Sequence, residues 1–203
     1  MTIVDSSEAI VDSVAEVGRR WGVPIDEQWL RATLGLPLDR VFPQLVPDVP
    51  YVEALEVYRE RYLSHGLAMH HVLPGVRESL ETVVADGFSI LVVSAKKDTH
   101  VRAVLRSVDL DHLVDQVVGE RFAEGKSESL REQAAEMYVG DHVGDVQGAR
   151  GAGAIAVAVA TGPTTAAELA AAGADVVLDD LTTFVPWWRD WLEGTATSSK
   201  ETA

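Results

Sequence analysis

The chain has 203 residues, with 32 acidic against 17 basic side chains, a net charge of −15 and no cysteine. That length buries one full core with room for a small insertion. The acidity argues against nucleic acid and anionic membranes as partners, since both select basic patches, and the lack of cysteine excludes disulfide and thiolate chemistry, in keeping with a reducing, cytoplasmic setting.

Residues 6–22 set Ile10, Val14, Val17 and Trp21 at helical spacing. Asp26 is placed to cap a second helix through Leu34 that stops at Gly35. A third amphipathic stretch, 51–69, carries Val52, Leu55, Tyr58 and Tyr62 on one side. Roughly the first 70 residues thus read as a helical insertion over the rim of a sheet, with no strand signal. Pro74-Gly75 punctuates the chain, and the pattern changes. A helix over Val76–Asp86 leads to a buried strand, Phe88–Val93. Then come helix Thr99–Ser107, strand Gln116–Val118, helix Ser127–Ala135 and strand Met137–Val139. Helix Asp145–Gly151, strand Ile155–Val159, helix Thr165–Ala172 and strand Asp175–Leu178 follow. This alternation predicts an α/β fold: right-handed crossovers on a Rossmann-like parallel sheet. Residues 1–5 and 73–193 would form the core domain. Trp187, Trp188 and Trp191 belong to a terminal helix docking aromatic mass on that core. Gly194–Ala203, small and polar, is expected to be a disordered tail. No apolar stretch reaches the ~20 residues that span a bilayer, and no basic segment with an apolar run marks a signal peptide.

The most informative segment is Met137–Gly153, MYVGDHVGDVQGARGAG. An apolar run that stops at Gly140-Asp141 is a strand ending at the rim of a sheet, and ligands of open α/β sheets sit outside those carboxyl ends. Asp141 and Asp145 there repel unless they share a cation. Mg²⁺ takes one or two carboxylates together with phosphate oxygens, so the pair reads as a Mg²⁺ site for phosphate chemistry. A bound metal also inverts the local field, so an acidic chain remains compatible with a small anionic substrate. The plainer reading is a turn in which Asp145 caps a helix. Ser94 and Ala95, at the end of strand Phe88–Val93, could grip a phosphate through a hydroxyl and a backbone N–H, or Ser94 could simply cap a helix. Lys126, one of four lysines, follows the next strand. It could offset phosphate charge or brace the aspartates, or be a solvated loop lysine. His70-His71 lacks a matching ligand set, and His142 reads as an exposed loop residue. Arg40, Arg59 and Arg61 are either grips for a substrate carboxylate or second phosphate, or a solvated helix face.

Taken in order, Ser94 after a strand, Lys126 and GDHVGD resemble the second, third and fourth motifs of the haloacid dehalogenase superfamily of phosphohydrolases. MTIVDSSEAI resembles the end of the first motif, Asp-x-Asp-x-Thr-[Leu/Val/Ile]-Val-Asp-Ser, with Thr2 at the threonine. The likeness covers about residues 2–185 and is closest to phosphoglycolate phosphatase-like members, which carry a small helical cap between the first and second motifs, and residues 6–72 fit that cap. It implies that Ser94 and the Ala95 amide bind the phosphoryl group and that Lys126 offsets charge on nucleophile and phosphate. Asp141 would hold Mg²⁺ directly, Asp145 would bind it through water or orient Lys126, and Thr2 would support the catalytic loop. The expected partner is a small phosphorylated metabolite, neither nucleic acid nor membrane; oligomeric state is not legible.

In that family two aspartates before the threonine are nucleophile and general acid/base, at the end of the central strand. The chain given starts at Met1-Thr2, so neither aspartate is in it, and its two neighbouring strands are expected to lack a partner. Met1 is therefore read as the variable residue of Asp-x-Asp-Met-Thr, within a longer reading frame. Two functions follow. One is a Mg²⁺-dependent phosphatase acting through an aspartyl-phosphate. The other is a non-catalytic phosphate-sensing or protein-binding relative. Metal-free dehalogenation is disfavoured by the aspartate pair. A Schiff-base phosphonate cleaver would need a cap lysine, and no lysine precedes Lys96. A sugar-phosphate mutase stays open.

Overall fold

The computed structural model describes the backbone of residues 1–201 and side chains through Gly194. Of the stretch expected as a disordered tail, 194–203, the backbone through Glu201 instead continues the last helix, and the side chains beyond Gly194 lie outside the described residues. A short antiparallel ribbon, β1 (Val4–Asp5) with β2 (His71–Val72), ties together the two chain segments that enter and leave the cap. Between them run α1 (Ser7–Trp21), α2 (Glu27–Ala32), α3 (Leu38–Leu45) and α4 (Tyr51–Ser64). α1 ends at Gly22 in the left-handed region, and Asp26 caps α2 by accepting the Trp29 N–H at 2.9 Å. The cap has its own core, built on Val14, Val17, Leu30, Val41, Phe42, Tyr58 and Tyr62. Arg61 binds Asp12 with both arms of its guanidinium, joining α4 to α1. The sequence did not reveal α3, because Pro43 lies inside it and reads as a breaker. Burial of Val41, Phe42 and Leu45 outweighs the lost backbone bond.

The remaining chain alternates as predicted: α5 (Val76–Ala85), β3 (Leu91–Val93), α6 (Asp98–Ser107), β4 (Gln116–Val118), α7 (Glu124–Glu132), β5 (Met137–Gly140), α8 (Val143–Ala152), β6 (Ile155–Val159), α9 (Ala166–Ala171), β7 (Val176–Leu178) and α10 (Phe184–Glu201). β3 is shorter than the apolar run Phe88–Val93. α7 starts earlier than expected, so Lys126 sits in its first turn and not in a loop. β6 is buried on both faces, as a central parallel strand should be. α10 docks through Trp188, whose ring lies 4.9 Å from Phe88 and whose Nε1 donates to Asp86 at 2.7 Å.

The parallel sheet is split. β3 pairs with β4, and β5, β6 and β7 pair in that order, but β3 and β5 do not pair. One apolar core nonetheless spans both halves, with Val92 and Val117 joining Met137, Val139, Val159, Phe184 and Trp188. A slot of about 380 Å³ separates them, lined by Leu91, Val92, Met137, Val139, Phe184 and Trp188 among others. Ile90 O accepts from Gln116 and Ser94 N donates to Val118 O, so the even residues of this strand bond to β4. Leu91 and Val93 therefore turn their N–H and C=O groups to the slot. By the same alternation Glu136 O accepts from Ile155, and Met137 and Val139 face the slot from the other side. The Tyr138 hydroxyl reaches across and donates to Val93 O at 2.8 Å.

Gly75 positions the start of α5 against the loop before α10. Its φ is +77°, and a Cβ there would lie 2.1 Å from the Leu181 carbonyl carbon. Gly75→Ala is expected to destabilise the fold by about 2–3 kcal/mol, combining left-handed strain with overpacking, measurable by denaturant melts.

Candidate active site

A cleft of about 810 Å³ lies between the cap and the carboxyl ends of β3, β4 and β5, and Thr2, Ser94, Ala95, Lys126, Asp141 and Asp145 all line it. Asp141 directly follows β5, and Asp145 is the third residue of α8. His142, before α8, accepts the Gly144 N–H on Nδ1 at 3.0 Å, and Asp145 accepts the His142 N–H at 3.0 Å, closing a reciprocal cap. Helix capping and site building are thus one arrangement here. His142 is tilted against Phe122 and half-buried, not a freely exposed loop residue.

Asp145 is fully engaged. One oxygen accepts from the Asp141 and His142 amides at 3.1 and 3.0 Å. The other is paired with Lys126 Nζ. Lys126 also donates to the Tyr138 hydroxyl at 3.2 Å. Both members of the ion pair are buried, Lys126 8 % and Asp145 6 % exposed. Burial acts to lower the lysine's pKa, but Tyr138 and the Asp145 carboxylate outweigh it, and the net shift is upward. Burial pushes the Tyr138 phenol up to about 12, with Asp145 adding to it. Tyr138 therefore enters as a neutral strut, donating a hydrogen bond to Val93 O while accepting one from Lys126. Sequence reasoning missed it, since a tyrosine inside MYVG reads only as strand.

Asp141 is the carboxylate turned to the cleft. Its Oδ1 accepts from Thr2 Oγ1 at 2.8 Å, and the Met1 amine lies against Oδ2. Met1 O in turn accepts from Thr161 at 2.7 Å. Residues 1–3 thus lie across the mouth of the slot, beside the ends of β5 and β6. The donor suits a hard divalent ion: one buried carboxylate on a cleft open to water and phosphate oxygens. Among the described residues no group of three or more His, Cys, Asp or Glu is arranged to hold a metal ion. Gly162 leaves room for Asp141: a Cβ there would lie 2.2 Å from Oδ2. Gly162→Ala is expected to displace that oxygen and to destabilise the fold by about 1–3 kcal/mol, as read by denaturant melts.

Ser94 lies at the carboxyl end of β3, where its Oγ accepts the Lys96 N–H at 3.2 Å. It does not touch the aspartates but faces the same cleft, as does Ala95. Of the three cap arginines, Arg61 is committed to Asp12 and Arg59 to Glu120 across the cleft, while Arg40 stacks 5.3 Å from the Phe122 ring. His70 bonds the Tyr62 hydroxyl at 2.7 Å in the interior and takes no part in the site. No described helix is long and apolar enough to cross a membrane.

Comparison with known proteins shows the family. The haloacid dehalogenase-like hydrolase family model matches residues 1–159. A Dickeya dadantii protein, named probable phosphatase IndB, is 30 % identical over 198 residues, covering 88 % of this chain and 85 % of its own. A phosphoglycolate phosphatase of Vibrio vulnificus is 29 % identical over 203 residues, with 89 % of each chain covered. Among solved structures, a haloacid dehalogenase-like hydrolase from Streptococcus pneumoniae superposes with a TM-score of 0.81 at 21 % identity, over 92 % of this chain and 93 % of that one. With a family match over most of its length and a parallel-stranded core under a helical cap, the chain belongs to the haloacid dehalogenase-like hydrolases.

Proposed function

We propose that the protein is a Mg²⁺-dependent phosphatase of a small phosphorylated metabolite. One observation carries the reading: Asp141 and the Lys126–Asp145 pair share a single cleft with Ser94 and the Ala95 amide, at the carboxyl ends of β3 and β5. The phosphatase names of the two relatives above support it.

In this reading Ser94 Oγ and the Ala95 N–H hold phosphoryl oxygens. Lys126, kept cationic by Asp145 and Tyr138, faces them as a fixed positive charge and requires no reorganisation as charge builds up. Asp141 holds Mg²⁺, which neutralises phosphate charge when bound. Thr2 orients Asp141. The cap closes the cleft against water.

A nucleophile is still needed. Asp5 is occupied by Ser7, through its N–H at 2.8 Å and its hydroxyl at 2.6 Å, and Asp12 is held by Arg61. The reading therefore puts the nucleophilic aspartate at the end of a strand filling the slot between β3 and β5, where an aspartyl-phosphate would form on it. The slot carries this part of the proposal. The same occupied carboxylates favour the second reading, a non-catalytic phosphate-sensing or protein-binding relative.

The test is phosphate release from a panel of metabolite phosphates and an aryl phosphate. It is run with Mg²⁺ and with chelator, on the chain as it stands and on a version extended by the in-frame upstream codons. Chelator-sensitive turnover by the extended protein is expected. A folded, Mg²⁺-binding extended protein without turnover selects the second reading, and upstream codons that lack a strand and aspartates refute the slot assignment.

A further inference from the structure

The wall that the cap turns to the cleft is apolar. Ile10 of α1, Leu36 of the α2–α3 loop, Leu38 of α3 and Leu55 of α4 all line the cleft, and all four are only half-buried, so each keeps surface for a ligand to cover. Their inner sides pack on the cap core, which fixes them in place. Tyr51, at the start of α4, adds a ring that is 39 % exposed. The α2–α3 loop lies against the rim that carries Asp141: a Cβ on Gly35 would stand 3.6 Å from His142 Cδ2.

The polar groups of the same wall are turned to partners inside the protein. Thr33 Oγ1 folds back on its own helix, 3.1 and 3.0 Å from Trp29 O and Leu30 O. The Tyr62 hydroxyl is bonded to His70, and Arg59 is paired with Glu120. Ser6 and Tyr58 are buried. The backbone of the loop follows suit: Leu34 N and Leu36 N donate to Arg31 O and Thr33 O, and Pro37 has no N–H to give. Asp39 and Arg40 are exposed neighbours of opposite charge whose fields largely cancel, and Arg40 lies against the Phe122 ring.

The polar chemistry is gathered on the opposite wall, at Ser94, Ala95, Lys126 and Asp141. A molecule that bridges the two walls is therefore phosphorylated at one end and apolar at the other. A hydroxyl set against the four aliphatic side chains gives up water and gains no partner. A methylene there takes apolar surface out of water on both sides.

We propose that the cap wall of Ile10, Leu36, Leu38 and Leu55 selects phosphomonoesters with an apolar alkyl or aryl body over polyol phosphates. This rests on the phosphatase reading, because Ser94 and the Ala95 amide must hold the phosphoryl end.

The test is isothermal titration of the chain as it stands, in Mg²⁺, with three phosphonates that share one head group: methylphosphonate, benzylphosphonate and 2,3-dihydroxypropylphosphonate. None of them needs a nucleophile. Benzylphosphonate is expected to bind about tenfold or more tighter than methylphosphonate and to be displaced by it, with the dihydroxypropyl probe within about twofold of methylphosphonate. Leu36→Asn and Leu55→Asn should each cut the benzyl preference by about threefold or more. Methylphosphonate binding should hold in both variants, which reports an intact fold and phosphoryl end. Val52→Asn, on the same helix as Leu55 but 65 % exposed and away from the cleft, should leave the preference unchanged. Benzyl binding no tighter than that of the dihydroxypropyl probe overturns the apolar class while leaving the phosphatase reading intact. So does a benzyl preference that survives both leucine variants or is not displaced by methylphosphonate. Failure of all three probes to bind overturns both readings.

Discussion

Replacing Lys126 by methionine is expected to lower the unfolding midpoint by roughly 10 °C and, in the extended protein, to abolish phosphate release. Methionine keeps the length of the side chain but removes the charge, leaving the Asp145 carboxylate buried with backbone amides alone. Breaking a buried pair from one side costs about 3–5 kcal/mol, and in a protein of this size each kcal/mol moves the midpoint by about 2–4 °C. The lysine's pKa is raised on folding. Its stabilisation is therefore complete below the ordinary lysine value and lost only as pH rises through the higher, folded value. The deficit should stay flat across neutral pH, and calorimetry at pH 6 and pH 8 checks this. Lys126→Met with Asp145→Asn should recover part of the stability and none of the activity. A single-variant loss under 1 kcal/mol would show that the pair is not buried as described.

The second large effect concerns the split sheet. A version of the protein carrying a parallel strand in the slot is expected to unfold at least 10 °C higher than the chain as it stands. Leu91 and Val93 on one side, and Met137 and Val139 on the other, present backbone groups that such a strand would pair. Each net hydrogen bond contributes about 0.5–1.5 kcal/mol, and burying the apolar lining adds to it at about 25 cal/mol per Å². Hydrogen exchange offers a local readout: the amides of these four residues should become protected together. Unchanged protection would mean that the added segment lies elsewhere.

Much of this molecule could be read from its residues. β5, β6 and the strand alternation were visible because parallel strands buried on both faces are written as apolar runs between turn residues. The residues that gather at the cleft were visible because carboxyl ends of such strands converge on one rim. What stayed hidden depends on contacts distant in sequence. The β1–β2 ribbon pairs residues 4–5 with 71–72, too short to leave a pattern. α3 is a helix because of what it packs on, in spite of Pro43. Tyr138 acts through a hydroxyl that crosses the slot, which only three dimensions show. The early start of α7 also escaped, since Gly125 and Ser127 weaken helical propensity there.

Among the described residues a single ion pair joins the cap helices to the core: Arg59 with Glu120, at 3.1 Å, the two side chains 34 % and 58 % exposed. Such a clasp is wet enough to feel dissolved salt. In dilute buffer the lid should dwell shut, slowing the escape of product. Raising the ionic strength should loosen it, so that turnover and apparent affinity respond to salt in opposite directions.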